Sequence, residues 1–378
     1  MFGRRITIFK LLGFEVKIDL SWLIIAVLIT WTLAEGLFPH YFEGLSKRAY
    51  WFMGVAGALG LFLSIVFHEL CHSLVARRYG LPMTGITLFI FGGVAEMSEE
   101  PQSPKAEFMM AIAGPASSVA LGALMYGAHF LAQGMNLPSY MSGVLWYLAF
   151  INMLLAAFNM LPAFPLDGGR VLRSALWWWK KNLKWATRTA SQAGSIFGLI
   201  LIMLGLLNVL MGNVIGGIWW FLIGMFLRSA AQSSYRQVLL RKALEGEPVR
   251  KLMIEDPVTV PPSISLEELA ENYFMKHHFK MFPVVEDGRL LGCISMEQAK
   301  EIPRESWRER SVGELAEGCS GDNTIPPESD VVEALSAMNR QGKSRLMVVE
   351  GGRLRGIITM RDIMRHFSMK LELEESEK

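Results

Sequence analysis

Six long apolar segments between residues 18 and 227 constrain this chain more than any other feature. A helix that crosses the hydrocarbon core of a bilayer needs about 20 mostly apolar residues. After Arg228, charged residues become frequent and the apolar runs shorten to the length of strands. The sequence therefore predicts a polytopic α-helical membrane domain of about six transmembrane helices, followed by a soluble α/β domain. The predicted spans are Leu20–Phe38, Trp51–Ala76, Phe108–Ala132, Met141–Leu161, Gly194–Met211 and Val214–Leu227.

The two ends of the apolar region differ from its middle. The last two segments are short and only Gly212 and Asn213 separate them, so they form either one broken helix or a tight hairpin. The first 17 residues are basic, but no short apolar core with a small-residue cleavage site follows them. We therefore expect a retained first span and not a removed signal peptide.

Lysine and arginine are divided unequally between the two sets of span ends. The ends that carry more of these residues lie in the cytoplasm. One set carries only Lys47 and Arg48. We therefore expect a multi-pass protein of the plasma membrane, with the N-terminus, the basic loops and the soluble tail in the cytoplasm. The other, basic set carries Arg4, Arg5, Lys10, Lys17, Arg77, Arg78, Arg170, Arg173, Lys180, Lys181, Lys184, Arg188, Arg228 and Arg236.

Charge and cysteine content exclude two classes of protein. The formal net charge of +2 is too small to indicate a nucleic-acid partner. The three cysteines, Cys71, Cys293 and Cys319, are scattered and odd in number, so they predict neither a disulfide framework nor a cysteine-based zinc site. We interpret Cys71 as a small packing residue.

The second predicted span contains His68-Glu69-Leu70-Cys71-His72, which is the pattern H-E-x-x-H. Residues four apart share one face of a helix, so both imidazoles can reach one metal ion. Zn²⁺ accepts two histidine nitrogens and keeps positions for a carboxylate and an acidified water. Glu69 can take the proton from that water and pass it to a leaving amine. A chance match is the alternative, but burying these groups in an apolar span without partners is costly.

The third ligand is predicted to be Asp167. It lies in Asn159-Met-Leu-Pro-Ala-Phe-Pro-Leu-Asp167-Gly-Gly, where two prolines stop the fourth helix and two glycines allow a tight turn. At 1.5 Å per residue, the histidine pair lies about 7–14 Å from Arg77, at the cytoplasmic end of its span. The fourth span also runs inward, so both parts of the site lie at the same depth. The alternative is an ordinary turn aspartate. The histidines set aside are His40, His129, His277, His278 and His366.

The ordered pair of motifs, H-E-L-C-H in a span and N-x-x-P-x-x-P-L-D-G-G after a later one, resembles the site-2 protease family of intramembrane metalloproteases. The resemblance covers about residues 6–234. It implies that His68, His72 and Asp167 bind zinc, and that Glu69 is the catalytic acid and base. It also implies that Asn159 faces the active site, although this residue could equally cap the helix end.

Two further segments fit this resemblance. Leu88-Phe-Ile-Phe-Gly92-Gly93-Val-Ala95 is too short to span the bilayer, and a similar segment in the family dips into the membrane as a small hairpin. An exposed strand edge is tolerated beside a water-filled cavity and could bind an unwound substrate by strand addition, so Gly92 and Gly93 are candidate substrate-binding residues. An interfacial loop is the alternative. The small residues of Ala113-Gly-Pro-Ala-Ser-Ser118 indicate close helix packing near the site.

The tail repeats itself after 64 residues. Val284-Val-Glu-Asp-Gly-Arg-Leu-Leu-Gly292 matches Val348-Val-Glu-Gly-Gly-Arg-Leu-Arg-Gly356. The two copies resemble a tandem CBS pair, a module of the cystathionine-beta-synthase type that often binds adenine nucleotides; a dimerising or packing module without a ligand is the alternative. The predicted divisions are a membrane metalloprotease domain 1–235, a linker 236–248, a CBS pair 249–370 with repeats 249–303 and 311–370, and a charged tail 371–378.

The two repeats differ at the signature that contacts ribose in CBS modules. The second repeat has the signature complete, from Thr359 to Asp362, whereas Gln298 replaces the aspartate after Ser295 in the first. A neutral amide cannot supply the charge-assisted hydrogen bond of a carboxylate. We therefore expect at most one good adenine-nucleotide site per pair, contacted by Thr359 and Asp362. Candidate phosphate contacts are Arg345 and Arg361.

Two functions of different classes follow. The first is an intramembrane zinc metalloendopeptidase in regulated intramembrane proteolysis, with a substrate that is a transmembrane protein and a tail that senses nucleotide or forms a homodimer. The second is a CBS-regulated transporter or channel that uses the intramembrane His, Glu and Asp residues to carry ions. A transport path needs polar groups throughout the membrane depth, whereas here they converge near one face. The sequence therefore favours the protease.

Overall fold

The computed structural model of the chain describes residues 5–81, 83–89, 92–97, 101–321 and 323–376. These residues form two compact units, 1–238 and 239–378, each with its own core. The first unit holds the apolar helices and a small sheet, and the second holds a mixed sheet with short helices. The predicted fold class, a polytopic helical membrane domain followed by an α/β CBS domain, is confirmed.

Six helical stretches of the described residues are long and apolar enough to cross a membrane, as predicted. Serine side chains fix the start of two of them, because Ser46 and Ser103 accept hydrogen bonds from backbone N–H groups of the first turn. The first stretch, 20–41, is composed of α1, a π-helical turn and α2. The helices are α1 (Leu20–Thr32), α2 (Phe38–Tyr41), α3 (Lys47–Arg78), α4 (Pro104–Gly134), α5 (Ser139–Asn159), α6 (Asp167–Lys180), α7 (Leu183–Leu210) and α8 (Val214–Leu244).

Helices α7 and α8 form a tight hairpin, which decides between the two predicted arrangements. Gly212 turns the chain with a φ of 89°, and the two helices then approach so closely that a Cβ on Gly198 would lie 2.7 Å from the Gly224 carbonyl oxygen. Small residues permit this approach of two backbones in a membrane. Both helices extend further than the predicted spans, because polar turns continue the helix beyond the apolar stretch.

A four-stranded sheet with the order β1-β2-β3-β4 accompanies the helices of the first unit. The strands β3 and β4 of the predicted hairpin pair in antiparallel register, with Leu88 opposite Gly93; Ile90 and Phe91, which join them, lie outside the described residues. The N-terminal hairpin, which turns at Leu12 and Gly13, was not predicted. Phe14 and Ile86 are buried against Leu70 of α3. The strands are β1 (Arg5–Leu11), β2 (Phe14–Asp19), β3 (Met83–Phe89) and β4 (Gly92–Met97).

The second unit is built from two copies of one hairpin, as the 64-residue repeat predicts. The strand pair β6 and β7 shifts register between Val284 and Val285, and the pair β10 and β11 shifts between Val348 and Val349. Short strands exchange between the copies: β5, before the first hairpin, pairs with β11, and β8, before the second, pairs with β7. The strands are β5 (Ile254–Glu255), β6 (Met281–Glu286), β7 (Arg289–Ser295), β8 (Glu317–Gly318), β9 (Thr324–Ile325), β10 (Arg345–Glu350) and β11 (Arg353–Thr359).

The helices of the second unit cover two apolar cores, one for each copy. The stretch 266–277 is helical with a π turn at its centre, and Leu266 and Leu269 are fully buried. The segment 236–248, expected to be a linker, is helical as far as Leu244, whose buried side chain belongs to one of these cores. The helices are α9 (Leu266–Leu269), α10 (Met275–His277), α11 (Met296–Lys300), α12 (Val312–Leu315), α13 (Val331–Gln341) and α14 (Met360–Ser376).

Candidate metal centre

His68 and His72 lie one turn apart on the buried side of α3. Their side chains are 4% and 8% exposed, and their ring centroids are 4.7 Å apart. The two Nε2 atoms point at each other across 3.1 Å. The spacing of the motif therefore produces the convergence that one shared metal ion would require.

Asp167 reaches the same point from a different element. Its Oδ2 atom lies 3.1 Å from the Nε2 atoms of both His68 and His72, so the three atoms form a triangle with equal sides. The carboxylate belongs to the first turn of α6, where the helix dipole favours a negative charge. The two distant motifs therefore meet at one point in the structure, and their role as metal ligands stays a prediction.

The expected role of the two glycines after Asp167 is wrong. Gly168 and Gly169 lie in the first turn of α6 and not in a tight turn with unusual backbone angles. A Cβ on Gly168 would lie 2.3 Å from the Met160 carbonyl oxygen, and one on Gly169 would lie 2.4 Å from the Phe164 nitrogen. The glycines therefore let the start of α6 press against the loop after α5.

Contacts behind the imidazoles set their orientation. His72 Nδ1 lies 2.6 Å from the Met110 carbonyl oxygen, which can only accept, so Nδ1 carries a proton; in the neutral ring Nε2 then has the lone pair that a metal ion needs. His68 Nδ1 lies 2.9 Å from the Oγ atom of Ser118, which is 1% exposed. Hydrogen bonds of this kind fix the tautomer and orientation of metal-binding histidines. The sequence did not predict Met110 or Ser118, because both contacts depend on how α4 packs against α3.

Gly114 of α4 faces the triangle directly. A Cβ at this position would lie 2.2 Å from His72 Nε2 and 2.5 Å from His68 Nε2, so no other residue fits without moving the imidazoles. The small-residue segment 113–118 therefore allows α4 to approach the site, as expected from its composition.

The three atoms fit a zinc ion in donor type and in spacing. Two imidazole nitrogens and one carboxylate oxygen are a donor set that zinc uses in catalytic sites. Zinc–ligand distances of about 2.0–2.1 Å place tetrahedral ligands about 3.3–3.4 Å apart, close to the observed 3.1 Å. Nε2 of a neutral His72 and the carboxylate both present lone pairs, and a cation relieves their repulsion. His68, His72 and Asp167 form the only such group within the described part of the chain.

A cavity of about 620 Å³ opens next to the triangle. Its walls come from α1, α3, β3, β4, α4, α5, the start of α6 and α8, and they are mostly apolar. Glu69 lines this cavity beside the two histidines. Strand β4 passes so close that a Cβ on Gly93 would lie 2.8 Å from Glu69 Cγ. The candidate metal centre, the Glu69 side chain and strand β4 therefore all line one cavity.

The two remaining candidate substrate residues differ in position. Asn159 lines the cavity, and its Nδ2 atom donates a hydrogen bond of 3.0 Å to the Leu155 carbonyl oxygen, one turn back along α5. This bond lies within the helix, so it does not cap the final carbonyl groups. Gly92 begins β4 opposite Phe89. A role of either residue in substrate binding stays a prediction.

A buried ion pair that the sequence analysis missed ties α6 to α4. The Arg173 guanidinium donates hydrogen bonds to the Glu107 carboxylate, and the two side chains are 3% and 0% exposed. Glu107 lies one turn from Met110, whose carbonyl holds His72. This ion pair therefore connects the helix that carries Asp167 with the helix whose Met110 carbonyl group contacts His72.

The candidate nucleotide residues of the tail form helix caps. Asp362 Oδ2 accepts hydrogen bonds from the Thr359 backbone nitrogen at 3.2 Å and from its hydroxyl at 2.5 Å. Ser295 and Gln298 form the equivalent capping box in the first copy. Arg345 is half-buried and Arg361 is exposed. The signature thus has a structural role in both copies, and nucleotide binding stays a prediction.

An apolar six-span bundle with a buried His-His-Asp triangle beside a carboxyl-lined cavity defines the class of membrane metalloproteases. Comparison with known proteins gives the family. The sequence model of Peptidase family M50 matches residues 56–143 and 131–205, and that of the CBS domain matches 249–302 and 320–368. The chain belongs to the M50 family, the site-2 proteases, and carries a CBS pair.

Similarity to known relatives covers nearly the whole chain. Rip3 of Mycobacterium tuberculosis, whose name assigns it provisionally to the zinc metalloproteases, is 35% identical over 94% of this chain and 91% of its own length. Zinc metalloprotease MJ0392 of Methanocaldococcus jannaschii is 33% identical over 98% of both chains. The solved site-2 protease from that organism is 29% identical and covers 62% of this chain and 96% of its own, with a TM-score of 0.42.

Proposed function

We propose that this protein is an intramembrane zinc metalloendopeptidase that hydrolyses peptide bonds of membrane-protein substrates within or beside the bilayer, on its cytoplasmic side. The observation that carries the proposal is the triangle of Nε2 and Oδ2 atoms with 3.1 Å sides, in the wall of a mostly apolar cavity. His68, His72 and Asp167 would hold the ion. When bound, zinc supplies Lewis acidity, which polarises a carbonyl group and acidifies water.

The other residues of the cavity divide the remaining tasks. Glu69 would accept a proton from the attacking water and deliver it to the leaving amine. The edge of β4 at Gly92 and Gly93 would bind an extended substrate through backbone hydrogen bonds. Asn159, which also lines the cavity, would contact the substrate carbonyl. The apolar lining keeps bulk water away and so strengthens each of these polar interactions.

The proposal includes a place in regulated intramembrane proteolysis and a regulatory tail. The excess of lysine and arginine at one set of span ends supports a protein of the plasma membrane whose tail lies in the cytoplasm. The CBS pair would either bind an adenine nucleotide through Thr359 and Asp362 or form a homodimer. Both are familiar uses of this module, and the match of two CBS domains supports them.

The direct test is Glu69→Gln in purified, membrane-reconstituted protein. The substitution removes the proton carrier and leaves the three proposed ligands, so we expect full zinc content and no cleavage of a model transmembrane peptide. Glu35→Gln is the matched control, because Glu35 is an exposed carboxyl of the first span and should leave cleavage unchanged. Substantial cleavage by the Glu69→Gln protein would exclude the assigned role.

A further inference from the structure

The junction of α6 and α7 presents an exposed group of aromatic and basic side chains. Trp178 and Trp179 are 71% and 70% exposed, although tryptophan is usually largely buried. Lys180 lies 4.4 Å from the centre of the Trp179 ring. We use the name junction patch for the residues Trp178, Trp179, Lys180, Lys181 and Lys184, all of which are exposed.

The charge of the junction patch is not balanced by neighbouring residues of the sequence. Between Gly168 and Leu244 the chain has ten lysines and arginines and no aspartate or glutamate. The acidic residue of α6 is Asp167. It lies at the other end of this helix, about 20 Å from Lys180. An anionic partner from outside the chain therefore has charge complementarity with the patch.

The position of the patch identifies the kind of partner. Helix α7 begins at Leu183 and is one of the six membrane spans, so Lys184 lies in the first turn of a span. Tryptophan is enriched at the level of the lipid headgroups because its ring is apolar and its N–H group is polar. Lysine next to it can extend to the phosphate layer. Tryptophans followed directly by lysines at the start of a span are therefore the arrangement expected at a membrane surface.

The opposite side of α6 is fixed to the protein. Gly168 and Gly169 press on the preceding loop, and Arg173 and Ser174 are buried against the other helices. These contacts fix which side of α6 faces the other helices. Trp178 and Trp179, near its C-terminal end, are exposed. Two large aromatic side chains exposed next to each other indicate an interaction surface.

We propose that the junction patch binds the headgroups of anionic phospholipids, with Lys180, Lys181 and Lys184 on the phosphates and the Trp178 and Trp179 rings at the acyl boundary. This surface is separate from the cavity and does not depend on the proposed protease activity. Each lysine near an anionic membrane surface favours binding by about fivefold. Loss of two lysines is therefore expected to reduce the preference for anionic over zwitterionic lipid by about thirtyfold.

The test compares lipid retention by the full-length protein. Wild-type protein in detergent is given equal amounts of phosphatidylglycerol and phosphatidylcholine with identical acyl chains, and native mass spectrometry measures the ratio of the two bound lipids. We expect the wild type to retain mainly phosphatidylglycerol. Lys180→Gln/Lys181→Gln should lose most of that preference, and Lys180→Arg/Lys181→Arg should keep it.

The matched control is Lys47→Gln/Arg48→Gln, which removes two exposed cations from the start of a different span. It should leave the lipid ratio unchanged. An equal loss in this control, or no loss in Lys180→Gln/Lys181→Gln, would overturn the proposal. Displacement of phosphatidylglycerol by an equal concentration of inorganic phosphate would also overturn it, because the patch would then bind a soluble anion and not a lipid surface.

Discussion

The Nδ1 atom of His68 lies 2.9 Å from the Oγ atom of Ser118, although fifty residues separate them in the chain. The corresponding atom of His72 is held by the Met110 carbonyl oxygen. Both supports come from α4, and both point the Nε2 atoms at Asp167. Helix α4 is therefore the element that orients the candidate metal centre, although it contributes none of the three proposed ligands.

Removal of the Ser118 hydroxyl should weaken zinc binding. Ser118→Ala leaves the imidazole without its orienting partner, and loss of such a contact typically lowers metal affinity by about 10–100-fold. Competition with a chromophoric chelator measures this directly and does not require cleavage. Ser117→Ala is the control, since the Ser117 hydroxyl bonds to the Gly114 carbonyl within its own helix. Equal zinc affinity in both variants would contradict a role for Ser118.

A methyl group at Gly114 should abolish zinc binding. The added Cβ of Gly114→Ala would lie 2.2 Å from His72 Nε2, so the imidazoles or the helix must move. We expect zinc-free protein without activity that still inserts as six spans. Gly127→Ala is the matched control on the same helix, because a Cβ there meets nothing within 4 Å. Normal zinc content in Gly114→Ala would mean that α4 can retreat from the site.

Hydropathy and periodicity predicted the parts of the fold that depend on local sequence. The six spans and the repeated hairpins of the tail each have a pattern within one short segment, whereas the pairing of β3 with β4 was expected only from the family resemblance. Helix α6 was missed because it is too short and too polar to register as a span. Its amphipathic period, with Arg170 and Arg173 one turn apart, was the available signal.

The candidate metal centre could be predicted only in part, for a similar reason. His68, Glu69, His72 and Asp167 stand in compact motifs whose chemistry depends on spacing. Ser118, Met110 and the pair Glu107–Arg173 take part through tertiary packing, and a serine in an apolar helix carries no local sign of its partner. The small residues around Gly114 indicated close helix packing, but they did not show that Gly114 lies against the two imidazoles.

The cysteines offer a test of the predicted orientation. Cys319 is exposed, whereas burial raises the pKa of the Cys293 thiol to about 11 and Cys71 lies within a span. A membrane-impermeant maleimide should therefore label Cys319 alone, and only after the cells are permeabilised. Cys319→Ser should remove the label. In that background, Met135→Cys, at an exposed residue between α4 and α5, should react in intact cells. Labelling of Cys319 in intact cells would show that the tail lies outside the cytoplasm and would contradict the predicted orientation.

Only the second copy in the tail has the complete ribose signature, from Thr359 to Asp362. Because Asp362 also caps α14 through Thr359, truncation to alanine would mix loss of a ligand contact with loss of a helix cap. Asp362→Asn keeps an oxygen for the cap and removes the charge. A hydrogen bond to a charged group contributes about 1.5–3 kcal/mol, so nucleotide affinity should fall by about 10–100-fold. Titration calorimetry of the full-length protein with AMP, ADP and ATP measures it. Glu297→Gln removes an exposed carboxyl from the first turn of α11 in the incomplete copy and leaves its cap intact, so it should leave affinity unchanged. No heat from any nucleotide with wild-type protein would leave dimerisation as the function of the tail.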